Sequence, residues 1–225
     1  MRRIGIAGLC ALLLFAARPF GEVAFGADLT GAQVRDALAQ ATTDHPADFA
    51  GKSLEKLDLA WVMRTNFTRA NLTKASLQGL VVSMGMETSA AQAPILPGAD
   101  LSGARIVARL SWANMQGAKF VDALMGADMK NQSMGLMRAE LSSANLAGAD
   151  FSGADLRHAL MRFTKLMGAN LAGANLAKAD LSGANLTDAD LTGADVSDAD
   201  FSQVVLTGAR GLDRMKGKPL NAPAY

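Results

Sequence analysis

From Ala139 to Gly208 the chain reads AELSS ANLAG ADFSG ADLRH ALMRF TKLMG ANLAG ANLAK ADLSG ANLTD ADLTG ADVSD ADFSQ VVLTG. The third residue of every group is large and apolar: Leu141, Leu146, Phe151, Leu156, Met161, Leu166, Leu171, Leu176, Leu181, Leu186, Leu191, Val196, Phe201 and Leu206. Two residues before each of these centres stands Ala, except at Thr164 and Val204, and between the two stands mostly Asp or Asn. A helix cannot use this period. At about 100° per residue, centres five apart drift around the axis, and each Ala falls on the face opposite its Leu. In extended chain, residues two apart share a face, so Ala and Leu point inward together while Asp or Asn points out. Five is odd, so strict alternation fails from one group to the next and each group needs a corner. Gly148, Gly153, Gly168 and Gly173, each the residue before the next Ala, suit one.

The run Ala-(Asp/Asn)-(Leu/Phe)-x-x resembles that of the pentapeptide-repeat proteins. The resemblance implies a right-handed quadrilateral β-helix with four groups per coil and coils stacked at sheet spacing of about 4.8 Å. Residues twenty apart are then expected to stack: Phe151 on Leu171 on Leu191, and Asp180 under Asp200. Such a solenoid is stabilised coil by coil, through contacts between neighbours.

Working upstream, the pattern is degraded but present. Leu57, Val62, Phe67, Leu72 and Leu77 keep the spacing of five, and residues 83–97, with Pro94 and Pro97, read as a loop. The repeat resumes at Leu101 and Ile106, slips by one at Leu110 and again near Met129, with Met115, Phe120, Met125 and Met134 as further centres. An insertion is expected around Leu136 to Arg138. The solenoid is assigned to 51–210, and 211–225, which has lost the pattern, to a C-terminal tail.

The other end begins with Arg2 and Arg3, an apolar run from Ile4 to Ala17, and the small-residue site Ala24-Phe25-Gly26. That is the layout of a secretory signal peptide, assigned to 1–26, with an apolar run short for a membrane span. The protein is therefore expected in the periplasm or secreted, with no stable membrane insertion after cleavage. Residues 27–50 are expected to form a helical cap, with Thr30 and Gln33 as a capping box and Val34, Ala37, Leu38 and Ala41 on one face. Of the 225 residues, 50% are hydrophobic but only 5% aromatic, as a narrow, uniform repeat interior would require. Cys10, the single cysteine, falls in the signal, which leaves the mature chain no disulfide or thiolate site. A net charge of +1 argues against nucleic acid as partner.

Nothing in the sequence assembles a catalytic group. His45 and His158 are distant in the chain, and phosphate loops, nucleophile elbows and zinc spacings are absent. The expectation is a non-enzymatic protein without cofactor, acting as a protein-interaction or scaffold module; a homodimer is left open. Two other readings are weighed. Met84, Met86, Met115, Met125, Met129, Met134 and Met137 could supply thioethers to cuprous copper, although several occupy core centres. Lys52, Lys56, Arg64, Arg69 and Lys74 make the first coils basic, and Asp180, Asp188, Asp190, Asp195, Asp198 and Asp200 make the last acidic. Some relatives of that fold present an acidic, DNA-like face to topoisomerases, a role that an exported protein would not meet. The sharpest candidate is residues 157–167. There the outward positions abandon small polar residues for Arg157, His158, Leu160, Arg162, Phe163, Lys165 and Met167. Either this is a recognition patch for a protein partner, or the insertion or tail folds over it.

Overall fold

The computed structural model describes residues 28–40, 49, 96–106, 109–127 and 138–224. The signal at 1–26, the upstream centres from Leu57 to Leu77, the early basic residues and most of the loop at 83–97 lie outside those residues. Helix α1 spans Gly31–Gln40. Its start is the expected capping box: the Gln33 N–H donates to Thr30 Oγ1 (3.2 Å) and the Thr30 N–H to Gln33 Oε1 (2.8 Å). Val34 is buried in the same apolar cluster as the repeat centres, and Ala37 packs against it.

The rest is a right-handed, four-sided β-helix. Each side contributes three extended residues, Ala, the outward residue and the centre. The outward residue makes one parallel β-bridge to the coil on either side. Four bridge rows define the faces. Face 1 carries Asp100, Lys119, Asp150, Asn170, Asp190 and Arg210; face 2 carries Arg105, Leu124, Asp155, Asn175, Asp195 and Lys216. Face 3 carries Arg109, Glu140, Leu160, Asp180, Asp200 and Leu220; face 4 carries Asn114, Asn145, Lys165, Asn185 and Val205. The centres point inward and, from Leu96 to Phe201, are at most 2% exposed, and the paired alanines are closed off with them. Thr164, the polar exception inside, donates its hydroxyl to the Met161 carbonyl at 2.8 Å. That satisfies the group that burial would otherwise penalise.

One group shows how the repeat spends its backbone donors. The Ala149 N–H closes the corner onto the Leu146 carbonyl (3.0 Å), and the Asp150 N–H reaches back to Ala118 (2.9 Å). The N–H groups of Phe151 and Gly153 reach forward to Asn170 (2.7 Å) and Ala172 (3.0 Å). The fifth, Ser152 N–H, has no carbonyl and donates to Asp150 Oδ1 at 3.0 Å. The outward Asp or Asn is therefore more than a solvated residue: it accepts the donor of the residue that opens the corner, two places on. The same bond recurs from Asn170, Asn175, Asp180, Asn185, Asp190, Asp195 and Asp200. The second corner residue always has φ near +60°, the conformation that type II turns require there. Glycine enters it freely, while Phe163, at φ +54°, does so against the steric preference of a side chain.

Register changes are absorbed at corners. Bridges 100–119 and 105–124 span a short coil, the slip expected at Leu110. Lys119 then bridges Asp150, and Leu124 bridges Asp155, a long coil. The excess leaves at one point. The Ala139 N–H donates to the Met125 carbonyl (3.1 Å), the ordinary corner bond, as though residues 128–138 were absent. The insertion is thus larger than residues 136–138. Met129 and Met134, expected as centres, lie outside the described residues. At the far end, the side-chain pattern stops near 210 but the bridges continue through Lys216 and Leu220. A 3₁₀ turn at Leu212–Arg214, entered through Gly211 at φ +73°, takes up one extra residue.

Candidate functional site

Residues 157–167 wrap half of one coil rather than forming one face. Arg157 and His158 make the corner between faces 2 and 3, and Leu160 is the outward residue of face 3. Arg162 and Phe163 make the corner between faces 3 and 4, Lys165 sits on face 4, and Met167 opens the next corner. None is buried, and the inward residues Ala159, Met161, Thr164 and Leu166 are at most 1% exposed.

The cations are less free than the sequence implied. Arg157 grips Asp155 with two bonds, Nε to Oδ1 at 2.9 Å and Nη2 to Oδ2 at 2.7 Å. Burial pushes the Asp155 carboxyl up, but the Arg157 side chain, its N–H and its charge together hold it below the usual range. Arg162 reaches across to Asp180 in the next coil through Nε. Partial burial of Asp180 is likewise outweighed by bonds from Ser182 and Arg162, and its pKa is lowered. Lys165 has no such partner among the described residues. His158 is pushed down from its ordinary value, by burial first and then by Lys178, Arg138 and Arg157 against the opposing pull of Asp155.

Phe163 is 62% exposed. Its ring folds down over Gly183 in the next coil, where a Cβ would run into ring carbons Cδ1 and Cε1. The described tail does not cover it. Leu160 and Lys165 replace the Asp or Asn that would accept the N–H of Arg162 and Met167, and no described residue takes those donors instead. This coil therefore gives up two turn bonds and holds an aromatic residue at positive φ.

Sequence reasoning missed Trp112. It occupies the same corner as Phe163, also at positive φ (+66°), and is 49% exposed. The available signal was an aromatic two places after the centre Leu110, obscured by the register slip just before it. The methionines weighed for copper divide: Met115 and Met125 are fully buried, on the inner sides of faces 4 and 2. No group of three His, Cys, Asp or Glu able to hold a metal occurs among the described residues. No described helix is long and apolar enough to cross a membrane. A shallow depression of about 440 Å³ lies beside Val204, Val205, Leu206, Thr207, Pro223 and Ala224, without a titratable wall.

This architecture, with its turn-closing Asp and Asn, defines a repeat solenoid whose described residues offer their outer surface for contact. The family model for pentapeptide repeats matches residues 136–171 and 169–208, in eight copies, so this segment is a run of pentapeptide repeats. The matched model describes a structural repeat rather than a catalytic domain. Among solved structures, the chain is similar to HetL of the cyanobacterium Nostoc, a pentapeptide-repeat protein involved in regulating heterocyst differentiation. The two are 26% identical, over 84% of this chain and 94% of that one, with a TM-score of 0.37. QnrB1, a plasmid-mediated fluoroquinolone resistance protein, is 22% identical over 77% of this chain and 86% of its own, TM-score 0.43. Rfr23 of the cyanobacterium Cyanothece is 21% identical over 82% and 99%, TM-score 0.38. No curated protein matches the chain.

Proposed function

We propose that this is an exported, non-enzymatic interaction module that binds its partner through the coil 157–167, with Phe163 at the centre. One observation carries the reading. The coil keeps its inward positions buried, with Thr164 in place of one Ala, yet breaks the outward rules at Leu160, Phe163 and Lys165 together. An aromatic at positive φ costs about 1–2 kcal/mol. Two missing turn acceptors add to that cost, and the ring, still 62% exposed, gains only its contact with Gly183 in return. Local choices that oppose the fold without a structural gain belong to sites kept for function. The Arg162–Asp180 pair orders the side chain next to the ring, as a recognition surface needs. Export rests on the N-terminal pattern of Arg2-Arg3, the apolar run and Ala24-Phe25-Gly26.

The test is affinity capture from periplasmic extract with the mature protein and its Phe163→Ser variant. The reading requires a partner retained by the first and lost by the second at equal thermal stability. Identical capture by both would remove Phe163 from the binding surface.

A further inference from the structure

We infer that the corner between faces 3 and 4 is a platform for an uncharged β-1,4-linked glycan, laid along the solenoid axis across the coils of Trp112, Ser143 and Phe163. The inference rests on the reading of Phe163 as a recognition residue and gives its ligand a chemistry.

Two columns of groups run side by side along this corner. The first is aromatic. Trp112, Ser143 and Phe163 occupy its second position in consecutive coils, because the Trp112 N–H bonds the Ser142 carbonyl and the Ser143 N–H the Arg162 carbonyl. The two rings are thus two coils apart, about 10 Å at sheet spacing. Only a serine stands between them. The second column consists of backbone donors. Ser111, Ser142 and Arg162 open the corner in the same three coils, and face 3 offers them Arg109, Glu140 and Leu160 where an Asp or Asn should stand. Their N–H groups therefore meet no acceptor among the described residues. One coil further on, Asp180 and Asp200 return and take the donors of Ser182 and Ser202. The open donors run through three coils, with an aromatic in the first and the last, and both columns end at the coil of Phe163.

Such a surface asks for an extended ligand with an oxygen acceptor at each coil and an apolar face at every second coil. A β-1,4-linked glycan has this repeat: each hexose advances by nearly one coil spacing, and alternate sugars turn the same face to one side. Sugar C–H faces lie naturally against the π-faces of Trp and Phe. A peptide strand fits poorly, since its same-side repeat is about 6.8 Å. Nucleic acid fits poorly as well. The arginines flanking the corner are already neutralised, Arg109 by Glu140 (3.2 Å) and Arg162 by Asp180, which among the described residues of this corner leaves Lys165 for phosphates.

The experiment titrates mature protein with cellohexaose and with chitohexaose, following the fluorescence of Trp112 in a Trp61→Phe background and, in parallel, calorimetry on the unmodified protein. We expect one of the two hexasaccharides to bind, with an affinity insensitive to salt. We also expect the corresponding disaccharide, too short to reach both rings, to bind about tenfold or more weakly. Trp112→Ala and Phe163→Ala, read by calorimetry, should each abolish the advantage of the longer chain. Binding of neither hexasaccharide at millimolar concentration overturns the inference, as does binding that both variants retain. If an acidic peptide or single-stranded oligonucleotide binds instead, and weakens with salt, the glycan assignment is wrong. Should Phe163→Ser still lose a captured protein while no sugar binds, the interaction-module reading survives and the glycan does not; loss of both signals removes both.

Discussion

Phe120 and Phe151 stack ring on ring, centroids 4.7 Å apart and planes within 6°, although an insertion separates their coils in the sequence. The solenoid therefore closes across residues 126–138 with its interior ladder intact. Met125 and Ala139 form a normal corner bond at the point of departure.

It follows that the insertion is dispensable for folding. Replacing residues 126–138 by Ser-Gly supplies the two-residue corner used elsewhere, with glycine at the positive-φ position. Thermal unfolding should shift by no more than about 4 °C, as for a change near 1 kcal/mol in a chain this long. A variant that no longer unfolds cooperatively would show that the insertion supports the ladder.

Inside and outside positions should respond oppositely to charge. Leu171→Lys buries an ammonium in a ladder that excludes water and should prevent folding. Asn170→Lys removes only the acceptor of the Ala172 N–H (3.1 Å) and its bonds to Asp150 and Ser152, a loss of about 1–2 kcal/mol. Lys119 and Lys165 already stand at that place in other coils. Circular dichroism during urea unfolding separates the outcomes; equal damage from both substitutions would contradict the inward and outward assignment.

Acid should weaken the last coils. Side-chain bonds from Thr192, Ser197 and Ser202, with the backbone bonds of the same residues, hold Asp190, Asp195 and Asp200 below the ordinary carboxylate range. A depressed folded-state pKa contributes stability that is complete above the unfolded value of about 3.9 and lost as pH falls through the folded values. Stability should be flat from about pH 7 to 5 and fall below about pH 4. Changing all three to Asn keeps the acceptor, as Asn185 does for Thr187 (2.6 Å), and should flatten the fall. An unchanged acid profile in that variant would assign the loss to other groups.

Export is checked by intact mass. Expressed with its full N-terminus in a bacterial host, the protein should be recovered from the periplasm beginning near Ala27. Recovery from the cytoplasm with Met1 retained would remove the exported reading.

Much of the fold was legible because the repeat is local: Ala and Leu two apart must face inward wherever the chain is extended, and Leu141 to Phe201 do so without exception. Less was legible where position depends on neighbouring coils. The Asp and Asn residues look like a solvated stripe in sequence, and only the backbone shows that they replace a missing carbonyl. Trp112 and Phe163 share a corner because a long coil and an ordinary one separate them, an offset that no fixed period reveals. The cations around Phe163 likewise read as free charge until their partners, Asp155 and Asp180, are brought beside them.

The central claim, that residues 157–167 depart from the repeat for binding and not for packing, is tested most directly by Phe163→Gly. Glycine enters φ +54° without strain and is the residue that the repeat itself uses at Gly183 on the same corner. Unfolding and partner capture are measured on the same preparation. The account predicts stability unchanged or raised by about 1 kcal/mol, with capture lost. A stability loss of about 3 kcal/mol or more with capture intact would contradict it and make the ring part of the packing.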